Sequence, residues 1–190
     1  MKKGSVFGIV IAAIIYPLLF AVGSSSGLIH PACYAYVGTF MPILFSFVYL
    51  YVCANMQCFG APLVLNGLLV IVGLITGESN PAFLVIIIVL TVLAELLRRL
   101  QRYDTRKGVR LSFIPFAYAF YAYSAHWWTD TEGSLAAALE EMPAGYADKM
   151  APVISNIPVL VIMLVLTIPV AVLAMRIAEK AMKKLAARLN

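Results

Sequence analysis

Chemistry needs groups that titrate, ligate or attack, and this sequence offers few. It has two histidines, His30 and His126, and three cysteines, Cys33, Cys53 and Cys58. The odd cysteine count gives no closed disulfide framework, and no His or second Cys pair stands near Cys53 and Cys58 at ligand spacing. The thiols therefore read as small apolar side chains, and no metal site is expected. The paired acids Glu140 and Glu141 have no histidine or cation at helical spacing. No Gly-x-Ser-x-Gly elbow and no His-Glu-x-x-His helix occurs, so nucleophilic and metallohydrolytic catalysis have nothing to work with. A Gly-rich loop ending in Lys-Ser or Lys-Thr is missing too, so the sequence contains no P-loop for a nucleotide. Glu95 lies one turn before Arg98 and Arg99, the favourable order for a helical ion pair. A snorkelling pair at a membrane rim is expected there, since a proton relay would need a second acid. The chain reads as no enzyme.

Binding is better supplied than catalysis. His30, Tyr34 and Tyr36 flank one loop, and Tyr118, Tyr121, Tyr123, His126, Trp127 and Trp128 crowd another segment. An interfacial belt of Trp and Tyr occupies one layer at headgroup level. The run Phe116 to Trp128 extends about three turns and is aromatic on several helical faces. Some of these rings are expected to line a pocket, with His30, Tyr34, Asn80, Tyr121, His126, Trp127 and Asn156 as the candidate contacts. Stacked rings with a few polar tips suit a flat, partly polar small molecule. If the ligand were haem, His30 and His126 would be the residues able to hold its iron.

The elements that must position these groups are membrane helices. Of 190 residues, 63% are hydrophobic and 12% charged, and mean hydropathy is +0.93. A soluble domain has roughly 45–50% apolar and 25% charged residues, and one of this size cannot hide such an excess. Soluble enzymes, disordered tails and disulfide scaffolds are thereby disfavoured. A bilayer core about 30 Å thick requires roughly 20 apolar residues per helix. Six stretches qualify or come close, at residues 6–22, 32–54, 59–76, 81–97, 111–128 and 150–175. The fold class expected is an all-α, six-transmembrane-helix bundle forming one domain over 1–190.

Basic residues orient it. With both termini cytoplasmic, Lys2, Lys3, the loop from Arg98 to Arg110 and the tail from Arg176 to Arg188 lie inside. Only Lys149 of the fourteen basic residues is then outside, as the positive-inside rule requires. The net charge of +5 is thus accounted for by the membrane, with no call for nucleic acid. Ser134 opens a run of helix formers in the long outer loop, and a short surface helix capped by Ser134 is expected over the outer mouth. The tail 176–190 sets Ala178, Ala181, Met182, Leu185 and Leu189 on one stripe opposite Lys180, Lys183 and Lys184. This basic amphipathic end suits anionic headgroups or a partner helix. In the first span Gly8, Ala12 and Tyr16 recur every four residues with Ala13 beside them, a small-residue stripe that lets helices approach closely.

These features resemble a known family. Ala12-Ile-Ile-Ile-Tyr16 is similar to the Ala-x-x-x-Trp coupling motif of the substrate-binding S components of energy-coupling factor (ECF) transporters. Ala94-Glu95-Leu96-Leu97-Arg98, Tyr103, Gly108-Val-Arg-Leu-Ser-Phe113, Trp127-Trp128-Thr-Asp130 and Glu140-Glu-Met-Pro-Ala-Gly-Tyr-Ala-Asp148 look more closely like its MptD/Trep_Strep group. Tyr stands where the coupling motif ends in Trp, and the family's basic His-containing C-terminal ending is missing. The resemblance implies a subunit in the plasma membrane of a bacterium. Such a subunit captures a micronutrient, vitamin-like or a haem or metal complex, from outside. It delivers it through a T subunit driven by two ABC ATPases, so ATP is used by its partners and no cofactor belongs to this chain. Gly8, Ala12, Ala13 and Tyr16 would face the T subunit. The alternatives are a small membrane-embedded enzyme, for which no clustered polar set assembles, and an ion-coupled secondary carrier, which would need intramembrane charge.

Overall fold

The computed structural model describes residues 6–189. Lys2 and Lys3, counted above toward orientation, lie outside the described residues, as does the side chain of Leu189. The described chain is helical: α1 (Val6–Ser24), α2 (Pro31–Tyr36), α3 (Pro42–Asn55), α4 (Ala61–Thr76), α5 (Pro81–Leu100), α6 (Arg106–Phe116), α7 (Ala119–Ser124), α8 (His126–Thr129), α9 (Thr131–Glu141), α10 (Tyr146–Ile154) and α11 (Ile157–Leu189). Short 3-10 turns at Ser25–Leu28 and Val37–Thr39 join α1 to α2 and α2 to α3.

Helix starts follow the sequence. Proline occupies the first turn of α2, α3, α4 and α5, where its missing N–H is no loss. Asn80 Oδ1 accepts from Phe83 N at 2.8 Å and Thr105 Oγ1 from Gly108 N at 3.0 Å, each satisfying an amide the helix leaves orphaned. Gly77 closes α4 with φ 79°, a conformation open to glycine without steric cost.

Four segments are long and apolar enough to cross a membrane: Val6–Leu28, Pro31–Asn55, Pro81–Leu100 and Ile157–Arg188. Ala61–Thr76 is a shorter apolar helix. The expected span 111–128 is not one helix but α6, α7 and α8. Pro115 has no N–H for the carbonyl of Leu111 and α6 ends one residue later. The expected span 32–54 is likewise interrupted by the 3-10 turn before Pro42, which cannot donate to the carbonyl of Gly38. The expected span 150–175 is divided at Ser155–Asn156. Its first part is α10, whereas Pro158 and the cap Asn156 start a new helix. That helix then runs unbroken to Leu189, so the tail it covers is no separate element. Ala178 is buried there, while Ala181 and Leu185 are exposed, so the expected stripe is apolar toward the protein for only about one turn.

In the bundle α1 packs on α3 and α4, α4 on α5, α5 on α6 and α7, and α11 on α3 and α6. The core contains Tyr16, Phe20, Phe45, Tyr49, Phe83, Phe113, Phe116 and Phe120. Outward faces of α1, α5 and α11 carry exposed Val10, Ile14, Leu18, Ile88, Val92, Ile162 and Val165. In water that would be a large apolar patch; against lipid it is the expected solvent-facing surface.

The stripe on α1 faces other helices of the bundle. Tyr16 is 0% exposed, and Ala12 and Ala13 are buried in the same core. Tyr16 Oη donates to Asn66 Oδ1 (3.1 Å), and Asn66 Nδ2 donates to Thr91 Oγ1 (2.8 Å). A Cβ on Gly8 would collide with the Tyr51 hydroxyl of α3. The small residues thus admit α3 and α4 of the same chain, with Ala12, Ala13 and Tyr16 turned inward and Gly8 half-buried.

The expected rim pair, Glu95 and Arg98, is corrected. Arg98 is 0% exposed and does not snorkel. Its terminal nitrogens donate to the carbonyls of Met56 (2.8 Å) and Cys58 (3.2 Å). Glu95 Oε1 accepts the Gly60 amide at 2.7 Å. The two side chains lie 3.7 Å apart, and the guanidinium sits 5.1 Å from the Tyr103 ring centroid. Together they clamp the α3–α4 turn onto α5.

Candidate functional site

At the opposite end of α5 lies a cavity of about 630 Å³, within the range of small-molecule sites. Its wall is built where elements begin and end: His30 before α2, Glu78 and Asn80 before α5, Tyr123 at the end of α7, and His126 and Trp127 of α8. The roof is α9 and the start of α10, from Gly133 to Lys149. This is the surface helix anticipated over the mouth, but it starts at Thr131 with Asp130 as its cap, the carboxylate accepting from Gly133 N at 3.2 Å. Ser134, expected as the cap, is instead an inward anchor. Its hydroxyl donates to the His126 carbonyl (3.1 Å) and shares a 2.8 Å hydrogen bond with His126 Nδ1.

The roof has its own small core. Trp127, Ala138, Ala147, Met150 and Ile154 pack with Ala35 of α2, and Tyr36 Oη donates to the Val153 carbonyl at 2.9 Å. The lid is thus fastened to α2 and α8 and is not a loose loop.

Below the cavity rings pack in series. Tyr34 meets Trp127 (centroids 6.3 Å) and Phe120 (6.0 Å); Phe120 stacks on Phe20 (5.5 Å), and Phe20 meets Tyr16 (5.2 Å). The aromatic run Phe116 to Trp128 accordingly divides by face. Phe116 and Phe120 fill the core, Tyr123, His126 and Trp127 line the cavity, and Tyr118, Tyr121 and Trp128 line a smaller apolar groove of about 260 Å³ beside α11.

Five of the seven predicted contacts come together in the cavity: His30, Tyr34, Asn80, His126 and Trp127. Two do not. Tyr121 points into the other groove and shares a 2.6 Å hydrogen bond with Thr39. Asn156 is exposed and caps α11, accepting from Val159 N at 3.3 Å. Both were placed by nearness along the chain, which cannot tell which side of a broken helix a residue faces.

The charged lining comprises Glu78, Asp130 and Glu141 against Lys149. Tyr123 Oη donates to Glu78 Oε2 at 3.0 Å. Glu141 and Lys149 had no signal of their own, because roof loops carry no periodicity. Glu78 had one, its place between the helix stop Gly77 and the cap Asn80. Burial pushes the His126 imidazole below its ordinary pKa, against the opposing pull of Glu78 and Asp130, so its neutral form is favoured. The ring nitrogen Nδ1 of His30 accepts the Ala32 amide at 3.1 Å. Both histidines therefore have Nδ1 engaged within the protein, and Nε2 is the nitrogen each could offer a ligand. Among the described residues, no three His, Cys, Asp or Glu side chains are grouped to hold a metal ion. The indole N–H of Trp127, in a residue 4% exposed, is buried beside the Tyr34 hydroxyl but outside hydrogen-bond geometry with it.

A family model described as a hypothetical bacterial integral membrane protein (Trep_Strep) matches residues 4–188. No curated protein and no solved structure matches the chain.

Proposed function

The chain belongs to the Trep_Strep family of bacterial integral membrane proteins, and from that premise we propose that it is the substrate-binding subunit of an ECF-type importer. One observation carries this reading. The cavity opens at one end of the bundle, and its floor is a packed plug in which Tyr16, Phe45, Phe116 and Phe120 are fully buried. Such a protein can hold a solute at one face but offers it no path through, so delivery requires the whole body to move or a partner to move it. The sequence carries no P-loop to power that movement. ATPase subunits acting through a T subunit supply it in this reading, which makes the chain a non-enzymatic binder with no cofactor of its own.

The topology that goes with this function has six crossings, with the basic ends of α5, α6 and α11 on the cytoplasmic side of the plasma membrane and the cavity outside. The fifth crossing is the broken set α6 and α7. A body with few intramembrane charges reorients at lower cost, since each exposed charge in lipid costs several kcal/mol. Docking through the first helix uses its outward face, Val10, Ile14 and Leu18, because Ala12, Ala13 and Tyr16 are turned inward.

The test is co-expression with the T subunit and the two ATPases of an energy-coupling module. The chain is expected to co-purify with them, and vesicles holding the complex should show uptake that stops when the ATPase is inactivated. Uptake by the chain alone, driven by an ion gradient, would refute the proposal in favour of a secondary carrier.

A further inference from the structure

We infer that the cavity selects a flat, ring-bearing organic cation that also carries a hydrogen-bond acceptor. This rests on the cavity being a solute site, and deepens the importer reading by naming a substrate class. Three features combine. Glu78, Asp130 and Glu141 face it, against the single ammonium of Lys149, so the mouth carries negative potential that attracts cations and repels carboxylates. Tyr34, Tyr123, Trp127 and Tyr146 supply aromatic lining, and ring faces attract a desolvated cation, Trp most strongly. Independently of charge, the buried Trp127 N–H makes no well-formed hydrogen bond, its neighbour the Tyr34 hydroxyl, also on the lining, standing outside hydrogen-bond geometry. An unmade hydrogen bond in a buried donor is costly, and a ligand acceptor seated against it would recover that cost.

The position of the groups gives the ligand a polarity. The carboxylates are exposed at the rim, whereas Trp127 is buried beneath the roof. The acceptor-bearing ring enters first, and the positive charge is held among the acidic and aromatic side chains behind it. His126, favoured neutral, adds no competing positive charge on that path.

Three water-soluble probes of nearly one shape separate these requirements: 1-methylnicotinamide is cationic, nicotinamide neutral and nicotinate anionic. Ligand-observed NMR titration of the purified full chain in lipid nanodiscs reads all three. The cation is expected to bind at least about fivefold more tightly than the neutral amide, as for one screened charge pair worth about 1 kcal/mol, with nicotinate weakest. The double variant Glu78→Gln, Glu141→Gln should abolish the preference, and Trp127→Phe should weaken cation and neutral amide alike. Tighter binding of nicotinate, a preference that survives the double variant, or no binding of any probe would overturn the inference. If the order reverses while the chain still co-purifies with its ATPase module, the ligand class fails and the importer reading stands. If the order holds and no module binds, only the importer reading fails.

Discussion

The two ends of α5 use polar residues in opposite ways. At its C-terminal end Glu95 and Arg98 are buried and turned onto the backbone of the α3–α4 turn: two carbonyls and one amide are satisfied by two side chains. At its N-terminal end Glu78 and the roof acids stand around a void, with no backbone of the described residues turned onto them but the cap at Asp130. The first arrangement fixes geometry, because any departure leaves a charge unpaired in a medium of low dielectric. The second leaves interaction capacity for something not of this chain. The inference is that stability resides at the clamp and recognition at the mouth, and it can be broken by substitutions of graded severity.

The largest effect is expected at the clamp. Arg98→Met removes the countercharge beside Glu95, which keeps only the Gly60 amide, and strands the carbonyls of Met56 and Cys58. It should cost about 3–5 kcal/mol, read as a lowered midpoint in denaturant unfolding in detergent. A change under about 1 kcal/mol would mean the clamp does not hold the fold. Next is Asn66→Leu, which interrupts the chain from Tyr16 to Thr91 between α1, α4 and α5. Stranding a buried hydroxyl should cost about 1–3 kcal/mol by the same measurement. At the mouth, Glu141→Gln should leave stability within about 0.5 kcal/mol, as for surface substitutions, while lowering affinity for 1-methylnicotinamide. Destabilisation without loss of binding would erase the contrast between the ends.

The smallest effect is a pH dependence at His126, in the wall beneath the roof. The native pKa of His126 is lowered by burial, so on acidification the unfolded chain takes up its proton first. Stability is then intact above the ordinary histidine value near about 6.5 and declines as pH falls through it toward the lower native value. Between about pH 7.5 and 5.5 the thermal midpoint of the native protein should fall further than that of His126→Gln. Equal falls would assign the acid sensitivity to other groups.

Much of this architecture is legible in the sequence, because lipid enforces a simple rule on apolar stretches. The starts of α1 and α5 follow from hydropathy and proline, and a short helix over the mouth from the helix formers after Ser134, though neither its cap at Asp130 nor its anchoring does. What the sequence conceals is the sidedness of a residue. Tyr16 and Ile14 lie two residues apart in one apolar run, yet one is central to the core and the other faces outward. Glu95 and Arg98 read as a rim pair because spacing on one helix says nothing about a turn arriving from elsewhere in the chain. Tyr121 and Tyr123 are separated by one residue and serve different grooves, because two residues carry the chain more than half a turn around α7. Contacts between distant segments were lost to the sequence for the same reason: Tyr49 reaching Ser112 or Tyr118 reaching the Leu164 carbonyl follow from topology and not from local pattern.

α11 is 33 residues long, about 50 Å at 1.5 Å per residue, and so exceeds a hydrocarbon slab of about 30 Å. About four turns must overhang, and the overhang carries Lys180, Lys183 and Lys184, with Glu179 tied to Arg110 at its base. The molecule thereby carries its own compass: trypsin added to sealed vesicles of known orientation will trim this projecting rod on one side and spare it on the other. That single digestion reads off which compartment the cavity serves.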